Sequence, residues 1–550
     1  MKFKNKLKNN FSCLMNCILR NKFLLSVLVI YAILMLSVID WGTPNVSHPF
    51  NYQMDEWHQL QAVRSTFKYL SPNVSGSAHG TMLHFILSGI YLIPFVIFGA
   101  INPFAIKSSV DFLDLQQKLF QILRLNTLIF GLLSIFFIAK IAKEHLKINQ
   151  NMAIILFVVT PLWLSLSNYF KYDIALVFWI TISPYYLLKF AEKPTLRNYL
   201  IAGAFCSLAV ATKISAFPLF IAYVVSFFLF KKKGKIIFKD LGIGLFIFFI
   251  TFLILGIPDL ILGKGNWDEF LYSNLVSGSS GYSNVLTGFS SWWQYLLFKV
   301  LPIDFGYGFL LIYIFGIIYW IILFLKNILN KRLFLFKNEL FLFFCFLLFF
   351  LSLVPLKLGG NGNRLLILLP FFTLLAASFL QRIKSVIANN NVAIEGLLIV
   401  IFIVQFYQSI IMVYVKWLPD VRQTSSQWIQ KHIEKDTLIG IENIPIYQLL
   451  PDIVVKEFYS RDKNYDYQII DASSKTIPSL VIVTDKELDL NYFKESAKKR
   501  LLKRLKEEEY REIIEFKPPK ILYLFTGNEL NYSSSGLAPI STISIFKKDK

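Results

Sequence analysis

The feature that most constrains this chain is the recurrence of apolar runs of about 18 residues or more, separated by short polar loops. Segments of that length and character form bilayer-crossing helices, because lipid offers no partner to an open backbone. The charge pattern points the same way. Only 17% of the residues are charged and 55% are hydrophobic, whereas soluble domains carry about a quarter charged residues. The net charge of +21 does not indicate nucleic acid. Lys and Arg cluster in short loops between apolar runs, as in cytoplasmic loops facing anionic lipid.

Loop charge orients the chain. The basic start (Lys2, Lys4, Lys6, Lys8, Arg20, Lys22) places the N-terminus in the cytoplasm. The first run, 23–39, is long and lacks a small-residue cleavage site after it, so it reads as a retained anchor. The loop 41–80 is then outside. Segment 82–101 contains Gly89, Pro94 and Gly99. Laying it along the outer surface keeps the basic stretch Lys140 to Lys147 inside, so the charge rule favours juxtamembrane helices there. Further spans are expected at 123–141, 152–167, 174–190, 199–211, 216–230, 241–262, 305–325, 340–356, 365–380 and 392–412. With the first run this makes about eleven by the 20-residue rule.

After Trp417 the pattern changes to short β-like runs at 438–442, 480–484, 513–516 and 541–546, with helical stretches at 427–433 and 486–510. The expected fold class is mostly α. It comprises a polytopic transmembrane helical bundle, N-terminus in, with juxtamembrane helices and a C-terminal extracytoplasmic α/β domain. The expected divisions are a basic N-terminus (1–22), a membrane module (23–417, with its outer loop at 41–121) and a soluble domain (418–550). Cys206 and Cys345 lie in apolar runs, and Cys13 and Cys17 precede the first span. No disulfide framework or metal pair is readable in them.

Ionisable residues at the expected outer face are the candidates for chemistry. The pair Asp55-Glu56 lies in the first outer loop, and Asp173 follows the third span. A carboxylate there serves as general base or ligates a divalent cation, which makes such a cation a candidate cofactor; the metal itself is unknown. The bland alternative is a solvated loop acid. His48, His58, His79 and His84 share this region, but their spacing matches no metal signature, and a hydrogen-bonded or solvated role is the simpler reading. Lys171 beside Asp173 reads as an ion pair or as part of a cavity lining. Lys213, between two short apolar stretches, either snorkels to the interface or points into a polar cavity where it would meet a lipid phosphate. Arg364 begins an apolar helix after a Gly-Asn-rich stretch, where an anion site and simple anchoring are both open. Arg124, also at the start of a span, is expected to anchor. Phosphate-loop, nucleophile-elbow and paired-His metalloprotease patterns are absent.

Taken in order, these motifs resemble the GT-C superfamily of integral membrane glycosyltransferases, in particular the protein-mannosyltransferase and aminoarabinose-transferase type. The resemblance is carried by Asp55-Glu56, by Arg124-Leu-Asn-Thr-Leu-Ile-Phe-Gly131, and by Thr160-Pro-Leu-Trp163 leading to Asp173. It continues through Ala211-Thr-Lys213-Ile-Ser-Ala216, Asn363-Arg364-Leu-Leu-Ile-Leu-Leu-Pro370 and Asp420-Val-Arg-Gln-Thr-Ser-Ser-Gln-Trp-Ile429. One departure is His79-Gly80-Thr81-Met82, where the family commonly has His-Pro-Pro or Lys-Pro-Pro.

The resemblance implies inverting transfer of a sugar from a polyprenyl-phosphate donor to a lipid, glycan or protein acceptor. The setting would be the extracytoplasmic face of a prokaryotic plasma membrane. It implies Asp55 as catalytic base, with Glu56 and Asp173 positioning acceptor or cation. Lys213, Arg364 and Lys171 would face the lipid phosphate, and His58 and His79 are further candidates. A transporter or flippase of a lipid-linked or anionic substrate, and a scaffold with a partner-binding outer domain, are the competing readings; neither explains both the acidic first loop and the outer domain.

Overall fold

The computed structural model describes residues 21–45, 51–72, 81–101, 113–231, 237–271, 294, 296–329, 337–353, 362–386, 392–434, 436–442, 451, 465–484, 497–518 and 542–549. Among them, six helices are long and apolar enough to cross a membrane: Asp114–Leu146, Tyr172–Glu192, Phe238–Gly256, Tyr307–Leu329, Arg364–Ser385 and Gly396–Tyr414. Shorter apolar helices occupy Lys22–Leu36, Leu83–Ile97, Leu196–Thr212 and Ile214–Phe230. These helices indicate an integral membrane protein.

Burial sorts the bundle. The helix Tyr172–Glu192 has 83% of its apolar window buried, whereas Phe238–Gly256 has 11%. A helix apolar all round and enclosed by protein is central. The helix Phe238–Leu255 presents Phe246 and Ile254 outward, as a lipid-facing helix does.

Two elements differ from the sequence expectation. The single span expected at 152–167 is two short helices, Gln150–Val158 and Pro161–Leu166. Pro161 removes a backbone donor and forces Thr160 into an extended conformation (φ −109°, ψ 125°). The carbonyl freed at Val159 accepts from Gln405 Nε2 (2.8 Å) and Ser409 Oγ (3.0 Å). Gln405 also donates to Phe305 O (2.8 Å) and accepts from Phe309 N (3.0 Å). It lies so close to Gly306 (φ +83°) that a Cβ there would come within 2.3 Å of its amide, so this contact requires glycine. The second difference is the span expected at 123–141, where the α-helix begins earlier, at Leu113, runs to Lys140 and continues as a π-helical turn, Ile141–Leu146. Segment 82–101 forms one 15-residue helix, Leu83–Ile97, with Pro94 inside it. That is shorter than the ~20 residues a straight crossing needs.

After the last long helix, the helix Val421–His432 leads to a five-stranded sheet. The strands are β1 (Ile439–Ile441), β2 (Tyr467–Ile469), β3 (Leu480–Thr484), β4 (Tyr510–Phe516) and β5 (Ile543–Lys548). Their order is β2-β1-β3-β5-β4. β1 pairs in parallel with β2 and β3, while β5 runs antiparallel to β3 and β4. Fully buried β3, a run of Leu, Val and Ile ending in Thr484, is the central strand. β2 was not apparent in the sequence, since three residues carry no period.

Candidate active site

The site begins with the first turn of the helix Met54–Tyr69. The Gln53 side chain accepts a hydrogen bond from Asp55 N (3.4 Å) and caps the helix, which ends at Leu70 in the left-handed region (φ 57°). Asp55 and Glu56 at the N-terminus suit the helix dipole. Successive residues project about 100° apart, and these two acids meet different surroundings.

Glu56 points inward and is fully buried. Arg124 Nε donates to Glu56 Oε1 (2.9 Å) and an Arg124 terminal nitrogen donates to Glu56 Oε2 (2.7 Å). The other terminal nitrogen of Arg124 donates to the carbonyls of Ile39 (2.6 Å) and Trp41 (2.7 Å). Asn51 Nδ2 (3.3 Å) and the Phe170 amide (2.7 Å) complete the Glu56 carboxylate. A buried ion pair is tolerated when its remaining donors and acceptors are met in this way. Two expectations therefore change. Glu56 has both oxygens engaged by groups of the protein itself, and Arg124, 1% exposed, is no interfacial anchor.

Asp55 points outward, with 48% of its side chain exposed. The backbone ahead of the helix Tyr172–Glu192 is held against the helix Met54–Tyr69. Phe170 N bonds Glu56, and Tyr172 N donates to Gln59 Oε1 (3.0 Å). That registration seats buried Lys171 with its Nζ 2.7 Å from Asp55 Oδ2 and 3.4 Å from Asp173 Oδ2. Lys213, in the extended break after the helix Leu196–Thr212, brings its Nζ to 3.5 Å from Asp173 Oδ1 and 4.2 Å from the centre of the Tyr172 ring. The four side chains form one line of alternating charge, Asp55–Lys171–Asp173–Lys213.

The electrostatics follow from this line. The Lys171 ammonium holds the Asp55 carboxyl below the usual carboxylate range. Burial disfavours charge on Lys171, but Asp55 and Asp173 outweigh it and hold its pKa above the ordinary lysine value. Lys213 is raised in the same way, burial being outweighed by Tyr172 and Asp173. A divalent cation does not fit between Asp55 and Asp173, because the Lys171 ammonium occupies the space between their carboxylates.

The remaining candidates are placed less closely. His58, one turn beyond Asp55, adds to the charges that depress Asp55. Arg364 is half-buried in the 3₁₀ turn Gly362–Leu368, which packs on the helices Tyr172–Glu192, Pro161–Leu166 and Lys337–Leu353. His48, His79, Cys13 and Cys17 lie outside the described residues. His84 is neither solvated nor hydrogen-bonded. It is 1% exposed, both ring nitrogens lack hydrogen-bond partners among the described residues, and it stacks on Phe170 at 5.2 Å.

Sequence reasoning missed two buried cations behind the Glu56–Arg124 pair. Lys416 donates to Ser165 O (2.8 Å) and to Asn168 Oδ1. Arg422 pairs with Asp420 (2.7 Å) and covers the Tyr52 ring at 3.5 Å. The available signal for Lys416 was a lone cation at the end of an apolar run.

The family described as dolichyl-phosphate-mannose-protein mannosyltransferase matches residues 111–261. That segment contains Arg124, Lys171, Asp173 and Lys213, but not Asp55, Glu56 or Arg364. No curated protein matches the chain. Two solved structures are similar at low identity. One is ArnT from Cupriavidus metallidurans bound to undecaprenyl phosphate, with 12% identity and a TM-score of 0.44, covering 84% of this chain and 93% of that one. The other is the Archaeoglobus fulgidus oligosaccharyltransferase tethered to an acceptor peptide, with 13% identity and a TM-score of 0.43, covering 77% of this chain and 62% of that one. The family match over 111–261 supports the likeness of this chain to GT-C membrane glycosyltransferases.

Proposed function

We propose that this protein is an inverting membrane glycosyltransferase. It moves a sugar from a polyprenyl-phosphate carrier to an acceptor at the extracytoplasmic face of a prokaryotic plasma membrane. The observation that carries the reading is the charge line that begins at a half-exposed carboxylate, Asp55, and ends at a partly exposed ammonium, Lys213.

The chemistry needs those two ends. The bond between the sugar's anomeric carbon and the carrier phosphate breaks, and its electrons stay on the phosphate. The acceptor heteroatom bonds to the anomeric carbon from the opposite face and loses its proton to Asp55. Lys213 and Arg364 stabilise the charge developing on the departing phosphate. Lys171 orients Asp55 and keeps it anionic. A weakly basic carboxylate suits this step, since the acceptor proton becomes acidic only as the new bond forms. One base and no covalent intermediate suffice, in keeping with the absence of a nucleophile pattern.

Mass spectrometry of cell-surface glycans after deletion of the protein tests the reading. Loss of one sugar decoration is expected; an unchanged glycan profile contradicts it. Substrate-dependent uptake into vesicles containing the purified protein would favour a transporter instead.

A further inference from the structure

A cleft of about 590 Å³, with none of the four charge-line residues in its wall, lies between the end of the helix Lys22–Leu36 and the start of the helix Val421–His432. Its size falls within the roughly 300–1,000 Å³ of small-ligand sites. Its wall includes Asp40, Trp417, Asp420, Gln423, Thr424 and Gln427. Neither the mechanism nor the sequence motifs assign it a role.

The charges of the wall select the ligand. Lys416 is the one cation among the described lining residues. It is buried, its Nζ is spent on Ser165 and Asn168, and burial together with Arg124 pushes its pKa well below the ordinary lysine value. Asp420 is compensated by Arg422 (Nε–Oδ1 2.7 Å, with a second bond of 2.7 Å). Asp40 sits exposed at the edge, accepting from Gln121. The cleft thus offers no ammonium to a phosphate and repels anions.

What it does offer is a surface for hydroxyl groups. Trp417 is 48% exposed, and its indole nitrogen donates to Ser37 Oγ (2.9 Å), which holds the ring. Gln423 and Gln427, four residues apart, share one helix face with Thr424 between them. Fixed aromatic faces take the C–H side of a sugar ring, and amides and carboxylates take its hydroxyls.

We infer that this cleft binds a neutral polyhydroxylated ligand, the glycan part of the acceptor. Tyr52, in the same wall, lies three residues before Asp55, which ties the cleft to the chain segment carrying the proposed base. The acceptor role rests on the transferase reading; the binding chemistry does not.

The test uses the full-length protein in detergent on an array of neutral oligosaccharides of varied sugar and linkage, with phosphorylated counterparts. A parallel arm uses liposomes carrying a neutral glycolipid. Neutral members are expected to bind, and Trp417→Ala and Gln427→Ala are each expected to weaken binding at least about tenfold. Binding to free oligosaccharide points to a soluble glycan, and binding to liposomes alone points to a lipid-borne one. A blank array together with unbound liposomes, a preference for phosphorylated members, or binding unmoved by both variants overturns the inference. Asp55→Asn separates the two claims, since it should abolish transfer while leaving glycan binding intact. Loss of transfer with neither array nor liposomes bound sinks the cleft alone; normal transfer with retained binding sinks the base alone.

Discussion

Asp55 and Glu56 are adjacent carboxylates with opposite fates. Glu56 is sealed in the core, bidentate to Arg124 and closed off by the Phe170 amide. Asp55 is half-exposed and touches one end of a line of charges that reaches Lys213. One helical residue of rotation separates a group sealed in the core from a group left accessible. An acidic pair in sequence is therefore not two copies of one function. The Glu56–Arg124 pair fixes where the helix Met54–Tyr69 and the segment before Tyr172 sit, and that placement aims Asp55.

Breaking the buried half of the comparison should have the largest effect. Glu56→Ala strands the Arg124 guanidinium in the core, at an expected cost of about 3–5 kcal/mol. Thermal unfolding in detergent should show a large drop or loss of folded protein. The paired replacement Glu56→Leu with Arg124→Met should recover much of that stability, because a matched apolar pair leaves no buried charge. A single Glu56→Ala that unfolds like wild type would place the carboxylate outside the core.

The exposed half should behave in reverse. Asp55→Asn is expected to cut transfer by at least about a hundredfold, as for loss of a general base. Its unfolding temperature should stay near that of wild type, since buried Lys171 keeps Asp173 as a partner. Lys213→Met should lower transfer by about tenfold or more, with donor turnover affected and folding spared; steady-state kinetics at varied donor concentration checks this. The smallest effect concerns acid. Asp55 has a depressed folded pKa, so its pairing with Lys171 stabilises the protein above the ordinary carboxylate value of 3.8. That contribution is lost as the pH falls through the lower folded value. Unfolding measured from pH 6 downward should show wild type losing stability below about pH 4 and Asp55→Asn losing less.

Much of the bundle was legible because lipid demands long apolar helices. The sequence did not show that one proline breaks an expected span. Pro161 turns one expected span into two short helices, and the freed Val159 carbonyl takes its donor from Gln405, nearly 250 positions away. The ion pairs show the same limit. Asp55, Lys171, Asp173 and Lys213 were each visible as ionisable residues near a membrane edge, and the structure joins them. Arg124 looked like an anchor because a residue number does not reveal which face of a helix is enclosed. His84 was read as hydrogen-bonded or solvated, because its stacking on Phe170 exists only once two distant segments meet. In the C-terminal region the apolar run 480–484 announced β3, but three-residue β2 was too short to leave a pattern.

The central claim is that Asp55 takes the acceptor's proton in transfer from a polyprenyl-phosphate sugar. Its most direct test is to incubate purified wild-type and Asp55→Asn protein with a radiolabelled polyprenyl-phosphate sugar and a membrane acceptor extract, and to count label in product. Label transferred by wild type and at background for a well-folded Asp55→Asn is the predicted result. Equal transfer by the two proteins would contradict the account.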